Sequence, residues 1–357
     1  MSNNIKILSI AVIALAIIGA GLFFTKEENP KDEIVPIRIL DSPSTVNNWE
    51  IIKKLNGRDI LEEEGVKLEL ITSVQSSGGT QSLQALLAKN IDYAGSAWPA
   101  WINIIASGGK IKAVVSGQTI TKDNPGNGLV VLDNSSIHTS RDLIGKKIAI
   151  NVLGASADYL IRQYLTQNGL SIEQVQLIVV PNPQIEQVLR SGQVDAGAWH
   201  MGSPVEFKIA MDRGGLRELP GSRQIDIAGE NTVLGSGFRE DFIKEHPETV
   251  KRFIIAYEKS RRSVWDEFQK NPERVKKAVA EIYKEKDGNP KLAEYFTSGS
   301  TYFSPDYPFT TDRDVQMWID ISISEGKLKP GQIKPSDIYT HEFNPFYKEY
   351  LEKKGGK

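Results

Sequence analysis

The stretch QALLAKNIDYAGSAW, residues 84–98, recurs in shortened form as QVLRSGQVDAGAW, residues 187–199. In both, a helical pattern precedes an Ile-Asp or Val-Asp pair, small residues and a tryptophan. Each copy predicts a helix that leads into a short strand, the repeating unit of an α/β sheet. Because ligands of open α/β sheets lie beyond the carboxyl ends of the strands, we expect both tryptophan rings to point outward, toward a ligand. The alternative is a chance likeness between two generic units.

Strand and helix patterns alternate around the first copy. Strands are predicted at residues 37–40, 66–72, 92–95 and 111–115, and helices at 49–63, 80–89 and 100–107. This order predicts a mainly parallel sheet with right-handed crossovers. The sequence GLVVL, residues 128–132, predicts a strand that leaves this first lobe.

A second alternating series runs from residue 140 to residue 199 and predicts a second, smaller lobe. Residues 232–238 predict the strand that returns to the first lobe. After it, Val250, Phe253, Ile254 and Tyr257 form one apolar helical stripe. The predicted domains are an N-terminal segment at 1–35, a first lobe at 36–131 and 233–357, and a second lobe at 132–232. Hinges are expected near residues 130–133 and 233–235.

The composition is that of an ordinary globular protein. With 357 residues, 40% of them hydrophobic, the chain can build two domains. Its net charge of -2 comes from interspersed acidic and basic residues, so no nucleic-acid partner is expected. There are no cysteines, which excludes disulfides, cysteine-ligated metals, thiol chemistry and a lipid attached through cysteine.

The N-terminal segment contains an uncharged apolar run, ILSIAVIALAIIGAGLFF, residues 7–24. As a helix it spans roughly 27 Å, close to the thickness of a bilayer core. Lys6 precedes the run and acidic residues predominate after it, so the rest of the chain is expected outside the cytoplasm. The run predicts a retained membrane anchor or, if Gly19-Ala20-Gly21 is cleaved, a signal peptide. Residues 25–35 are polar and predict a tether.

A polar turn precedes a predicted helix in each lobe: SSGGT at residues 76–80 and NVLGAS at residues 151–156. Free N–H groups and hydroxyls converge at such helix starts and favour anions. Plain helix capping is the alternative for each. Neither turn is a P-loop, and no dinucleotide fingerprint is present.

No residue pattern indicates catalysis. Of the four histidines only His200 lies on a predicted cleft loop, and the motifs of zinc proteases and of serine hydrolases are both absent. No catalytic residue, metal site or cofactor is therefore predicted. Asn134-Ser135-Ser136 is formally a glycosylation sequon.

Six short motifs follow one another along the chain: RDLIGKKIA at 141–149, GL at 169–170, GQVDA at 192–196, REDF at 239–242, HPE at 246–248 and NPE at 271–273. With these motifs, the chain from about residue 37 to 351 resembles the solute-binding proteins of ABC importers in the nitrate, sulfonate and taurine group, also called SsuA/THI5-like or NMT1-like. The closing segment, residues 333–347, is similar to the family's last helix and tail.

The resemblance implies a two-lobed periplasmic-binding-protein-like fold of type II. Two mixed α/β sheets are joined by two hinge strands, C-terminal helices follow, and the lobes close on a ligand. By position, the residues implied to bind it are Ser42, Ser77, Gly79, Thr80, Gln81, Ser96, Trp98, Gly154, Ala155, Ser156, Trp199 and His200. The implied ligand loops contain no Arg or Lys, so an anion would depend on helix N-termini and hydroxyls, and a neutral or zwitterionic ligand stays open. The family's pyrimidine-synthesising branch depends on a cysteine-rich motif that this chain lacks.

The expected function is an extracytoplasmic binding protein, a monomer that delivers a small organic anion or zwitterion to an ABC permease and its ATPase. An extracellular enzyme is one alternative, motivated by His200. A ligand-sensing subunit of a membrane complex is the other.

Overall fold

The computed structural model describes residues 34–41, 45–74, 78–154, 156–199, 205–286 and 288–355. The apolar run at residues 7–24 lies outside this part of the chain. Among the residues described, no helix has both the length and the apolar character needed to cross a membrane.

Twelve strands and fourteen α-helices make up the described chain. The strands are β1 Ile37–Leu40, β2 Leu68–Ile71, β3 Tyr93–Ala97, β4 Ile111–Ser116, β5 Thr119–Ile120, β6 Val130–Leu132, β7 Lys147–Ile150, β8 Gln176–Val179, β9 Ala196–Ala198, β10 Leu216–Glu218, β11 Asn231–Thr232 and β12 Leu234–Arg239. The helices are α1 Asn48–Asn56, α2 Ile60–Glu63, α3 Gly79–Leu87, α4 Trp98–Ala106, α5 Ser156–Gln167, α6 Asn182–Arg190, α7 Val205–Asp212, α8 Gln224–Ala228, α9 Glu240–Glu245, α10 Pro247–Lys270, α11 Pro272–Lys286, α12 Asp312–Ser324, α13 Pro335–Ile338 and α14 Pro345–Gly355. Short 3₁₀ helices cover Ser140–Leu143, Ile172–Gln174, Pro290–Tyr295 and Ser298–Thr301.

The first lobe contains a parallel pair, β1 and β2, and a three-stranded sheet in the order β3-β12-β4. The backbone N–H of Asp92 donates to the Arg38 carbonyl at 2.8 Å and links β1 to β3. Strand β12 runs antiparallel to both of its neighbours. The prediction of a mainly parallel sheet was wrong here, because the chain that returns from the second lobe inserts between β3 and β4.

The second lobe has its own five-stranded mixed sheet in the order β10-β6-β9-β7-β8. Strands β8 and β9 pair in parallel with β7, while β6 and β10 run antiparallel. Because β6 belongs to this sheet, residues 130–132 do not form a hinge as expected. Two short antiparallel strands, β5 and β11, connect the lobes instead. The fold is thus the two-lobed α/β fold expected, with two hinge strands.

One predicted helix is interrupted. Residues 49–63 form α1 and α2, with Gly57 between them at a φ of 75°. This left-handed backbone ends α1, and its N–H donates to the Lys53 carbonyl at 2.9 Å. Glycine is a common helix-ending residue, but the helical pattern of the sequence continues on both sides of Gly57, so the break was not predicted.

The long C-terminal helices pack on the first lobe. The apolar stripe of α10 (Val250, Phe253, Ile254 and Tyr257) is buried, as its spacing predicts. It shares one core with β1, α1 and α11.

Gly237 permits the close pairing of β12 with β4. The register shifts between Ser236 and Gly237, and a Cβ on Gly237 would overlap the Lys112 carbonyl and lie 2.7 Å from the Cα of Ala113. We expect Gly237→Ala to lower the free energy of unfolding by about 1–3 kcal/mol, because backbone atoms must move. Urea denaturation measures this. The control is Gly78→Ala, since Gly78 has extended backbone and no atom within 4 Å of its Cβ position. Equal losses in the two variants would contradict the prediction.

Candidate ligand-binding site

A cavity of about 850 Å³ opens beside the carboxyl ends of β1 and β2 and the first half of β3. Asp41 and Thr72 follow two of these strands, while Gly78 and Gly79 lie at the start of α3. Tyr93 and other residues of the first lobe complete its walls. The cavity therefore lies at the strand ends where open α/β sheets bind ligands.

Gly79 and Ser96 are in close contact at one wall. A Cβ on Gly79 would lie 2.9 Å from the Cα of Ser96, so only glycine lets α3 begin this close to β3. Thr80 and Gln81 occupy the first turn of the same helix. The structure thus brings together four of the residues predicted to bind ligand, and their ligand contacts stay a prediction. Ser42, Ser77, Ala155 and His200 lie outside the described residues.

A cluster of tyrosines adjoins the cavity. Burial raises the pKa of Tyr93 well above its ordinary value, with Tyr257 nearby and despite a hydrogen bond with Ser236. Burial also raises the pKa of Tyr257, whereas Tyr302 is 38% exposed. The phenols therefore keep their protons at neutral pH and can act as uncharged donors. No sequence pattern predicted this cluster, because its members come from β3, α10 and the segment after residue 301.

Tyr302 has a left-handed backbone conformation, with a φ of 57°. Such a conformation is uncommon for a bulky residue and is held by its surroundings. The Arg261 guanidinium donates to the Tyr302 carbonyl at 2.6 Å. This hydrogen bond, donated by a residue of α10, holds the Tyr302 backbone in the left-handed conformation.

The Trp98 ring does not point outward as expected. It is fully buried, and its Nε1 donates to the Thr232 carbonyl at 2.7 Å. Its six-membered ring packs so closely on β12 that a Cβ on Gly235 would overlap the ring. The expectation of an outward ring was wrong, because the returning strand covers this face of β3.

The Trp199 ring is also fully buried, against the expectation. It packs edge-to-face on Phe207 of α7, with ring centroids 5.8 Å apart. Its Nε1 has no hydrogen-bond partner among the described residues. A ring enclosed in this way cannot stack on a ligand, although its N–H still lacks an acceptor.

Gly154 and Ser156 lie together at the start of α5, after strand β7. Gly154 has a φ of 71°, and its N–H donates at 2.7 Å to Asp158, which is buried in the first turn of α5. Asp158 also accepts a hydrogen bond at 2.8 Å from Arg162. The backbone at Gly154 is therefore held by a side chain of α5, the helix that it precedes. Among the described residues of the second lobe, none lines the 850 Å³ cavity.

The two lobes touch through side chains. Tyr159 of α5 packs edge-to-face on Trp318 of α12, with centroids 5.6 Å apart. Lys208 of α7 donates to the Tyr295 carbonyl at 3.0 Å, and burial lowers the pKa of this lysine. Within the residues described, no group of three or more His, Asp or Glu side chains is arranged to hold a metal ion.

A family model described as "NMT1/THI5 like" matches residues 58–275, more than half of the chain. The chain belongs to the NMT1/THI5-like family. It is 28% identical over 284 residues to a protein of Brucella abortus (strain 2308) whose name describes it as a candidate binding protein, covering 77% of this chain and 82% of the relative. A candidate aliphatic sulfonates-binding protein of Bacillus subtilis (strain 168) is 29% identical over 266 residues, 73% of each chain.

Solved structures support the fold of this family member. The alkanesulfonate-binding protein SsuA from Xanthomonas axonopodis pv. citri, bound to MOPS, aligns with a TM-score of 0.62 at 17% identity, over 86% of this chain and 99% of that one. The desulfurization enzyme DSZB aligns with a TM-score of 0.54 at 12% identity, over 89% and 99%. Both comparisons show the fold alone, whereas the curated relatives above are named as binding proteins.

Proposed function

We propose that this NMT1/THI5-like chain is the solute-binding protein of an ABC importer. It captures a small organic anion or zwitterion, of the sulfonate, taurine or nitrate kind, between its lobes and delivers it to the permease and ATPase. The observation that carries the proposal is the cavity at the strand ends of the first lobe, beside the Gly79 and Ser96 contact. A relative named for binding aliphatic sulfonates supports this chemical class.

Lobe closure is the proposed mechanism of capture. Strands β5 and β11 are short and are the connections that can bend, so the second lobe rotates on them as a rigid body. The carboxyl ends of β7, β8 and β9 then face the first-lobe cavity. The sequence predicted lobes at 36–131 with 233–357 and at 132–232, but β6 pairs with β9 and β10 of the second lobe. We therefore propose that the first boundary lies at the hinge strand β5, before β6 begins.

The proposed location is outside the cytoplasm, with the protein acting as a monomer. Support comes from the charge distribution around the apolar run at residues 7–24. That run serves as a membrane anchor or as a cleaved signal. A protein delivering solute to a permease needs this placement.

A thermal-shift experiment on the purified full-length chain tests the binding function. The probes are ethanesulfonate, 2-aminoethanesulfonate, nitrate and bicarbonate. A bound ligand at about one hundred times its Kd adds about 2.7 kcal/mol to stability and raises the melting temperature. If none of the four anions raises it, the proposed ligand class is wrong.

Thr80→Val tests the site. We expect it to weaken binding of the stabilising anion about three- to tenfold, because one hydroxyl donor is lost at the start of α3. Thr166→Val on the exposed face of α5 is the matched control and keeps the affinity. Calorimetry measures both, and equal affinities in the two variants would remove Thr80 from the site.

An enzyme in the same cleft is the second candidate, favoured by the structural likeness to DSZB. It requires turnover of the bound compound. If the compound is recovered unaltered after long incubation with the protein, the enzyme hypothesis is rejected and the binding function is retained.

A further inference from the structure

Two buried side-chain oxygens of the second lobe lack a hydrogen-bond donor in the described part of the chain. They are Asn151 Oδ1 and Asn182 Oδ1. A buried carbonyl oxygen without a donor is costly, and most such groups in proteins are satisfied. Two of them in one region therefore indicate that a donor arrives from outside the chain.

Both oxygens belong to the ends of neighbouring parallel strands. Asn151 directly follows β7, and Asn182 begins α6 just after β8. The pairing of Ile150 with Val179, together with a bond from the Val180 N–H to the Ile150 carbonyl, joins the two strands up to these ends. The asparagines thus lie at the edge of the sheet that the proposed closure turns toward the first lobe.

Trp199 lies at the same edge, on the other side of β7. Ile150 pairs with Ala198, so Trp199 is next to Asn151 in the register. Its Nε1 is a buried donor that also lacks a partner among the described residues. The edge therefore carries two acceptors and one donor that find no partner in the part of the chain that the structure describes.

The neighbouring helix start does not favour an anion. The buried Asp158 carboxylate accepts the Gly154 N–H at 2.7 Å, so this N–H is not free for a ligand. Arg162 pairs with Asp158 at 2.8 Å and lies 3.6 Å from Glu325 of the first lobe. The Arg162 guanidinium and the N-terminal dipole of α5 are therefore already paired with carboxylates.

We propose that Asn151 and Asn182 accept hydrogen bonds from an ammonium or amino group of the ligand. The solute is then an amino-bearing anion, with the amino end on the second lobe and the Trp199 N–H available to an acceptor atom beside it. The acid end lies toward the first-lobe cavity. This inference rests on the proposed function and narrows its ligand class.

Calorimetry with two isosteric probes tests it on the full-length chain. In 2-aminoethanesulfonate an ammonium group occupies the place of the terminal methyl group of propane-1-sulfonate. We expect the amino compound to bind at least about tenfold more tightly, because the methyl group leaves both oxygens unpaired. Equal Kd values overturn the amino assignment and leave sulfonate binding intact, whereas binding of neither probe overturns the amino assignment together with the sulfonate and taurine part of the proposed ligand class.

Variants at Asn151 and Asn182 locate the effect. Asn151→Leu and Asn182→Leu should each reduce the preference for the amino compound at least about fivefold, since each removes one acceptor. Asn151→Asp keeps the shape and the acceptor, so the affinity for the amino compound should be retained or increased. Asn134→Leu and Asn134→Asp, at an exposed position of the same lobe, are the matched controls. If Asn151→Asp weakens both probes equally, an amide N–H rather than an oxygen faces the ligand and the proposal fails.

Discussion

Replacing Arg261 with methionine is expected to lower the free energy of unfolding by about 3–5 kcal/mol. The Arg261 and Glu258 side chains are both fully buried and form a two-pronged ion pair, with N–O distances of 2.9 and 2.7 Å. Methionine keeps the apolar length of the side chain and removes the charge. The Glu258 carboxylate then stays buried with its main partner gone, which is the costly step.

Arg261 also joins three parts of the first lobe. Its guanidinium donates to the Tyr302 carbonyl at 2.6 Å and to the Pro308 carbonyl at 2.8 Å, and it lies 3.4 Å from the Ser116 carbonyl at the end of β4. Loss of these bonds frees the left-handed backbone at Tyr302. The variant should therefore disturb the tyrosine cluster beside the cavity as well as overall stability.

Urea denaturation compares Arg261→Met with Arg274→Met. Arg274 pairs with Glu267 at 2.7 Å on the surface, where such a pair contributes about 0–1 kcal/mol. The double variant Glu258→Leu with Arg261→Met should regain part of the loss, because the buried Glu258 carboxylate is removed together with Arg261. The recovery is incomplete, since Arg262 also loses its contact with Glu258 at 3.2 Å. A loss in Arg261→Met no larger than that in Arg274→Met would contradict the prediction.

The alternation of helix and strand could be read from the sequence because local patterns determine it. Strand Ile37–Leu40 was predicted with its observed bounds, and the buried stripe of α10 followed from its spacing. The pairing of the strands cannot be predicted from local patterns in the same way. The position of β12 between β3 and β4 depends on where a distant segment returns, and no pattern within residues 93–116 specifies it.

The same limit explains the candidate site. The cavity beside Gly79 and Ser96 lies where small polar residues follow strand ends, which is a local signal. Asn151 begins the polar turn predicted at residues 151–156, but its own role and that of Asn182 could not be predicted, since they depend on the absence of a partner in the described part of the folded lobe. The tryptophans were assigned to the right strand ends, but the direction of a ring depends on what packs over it.

Trp98→Ala is expected to lower the free energy of unfolding by about 3–5 kcal/mol, because a fully buried indole is removed and a cavity remains. The Thr232 carbonyl also loses the donor that lies 2.7 Å away. Since Thr232 ends the hinge strand β11, the loss reaches the connection between the lobes. Thermal and urea denaturation of the full-length chain measure the effect.

The control, Trp265→Ala, separates burial from simple loss of an aromatic ring. Trp265 is only partly buried and packs on Phe303 with centroids 5.9 Å apart, so its removal should cost clearly less. A ligand-facing Trp98 would give the reverse result: weaker binding in a variant of unchanged stability. Equal stability of Trp98→Ala and the native chain, with lost affinity, would therefore restore the outward ring that the sequence predicts. A large loss of stability places the ring under β12, because only an enclosed indole leaves a cavity when it is removed.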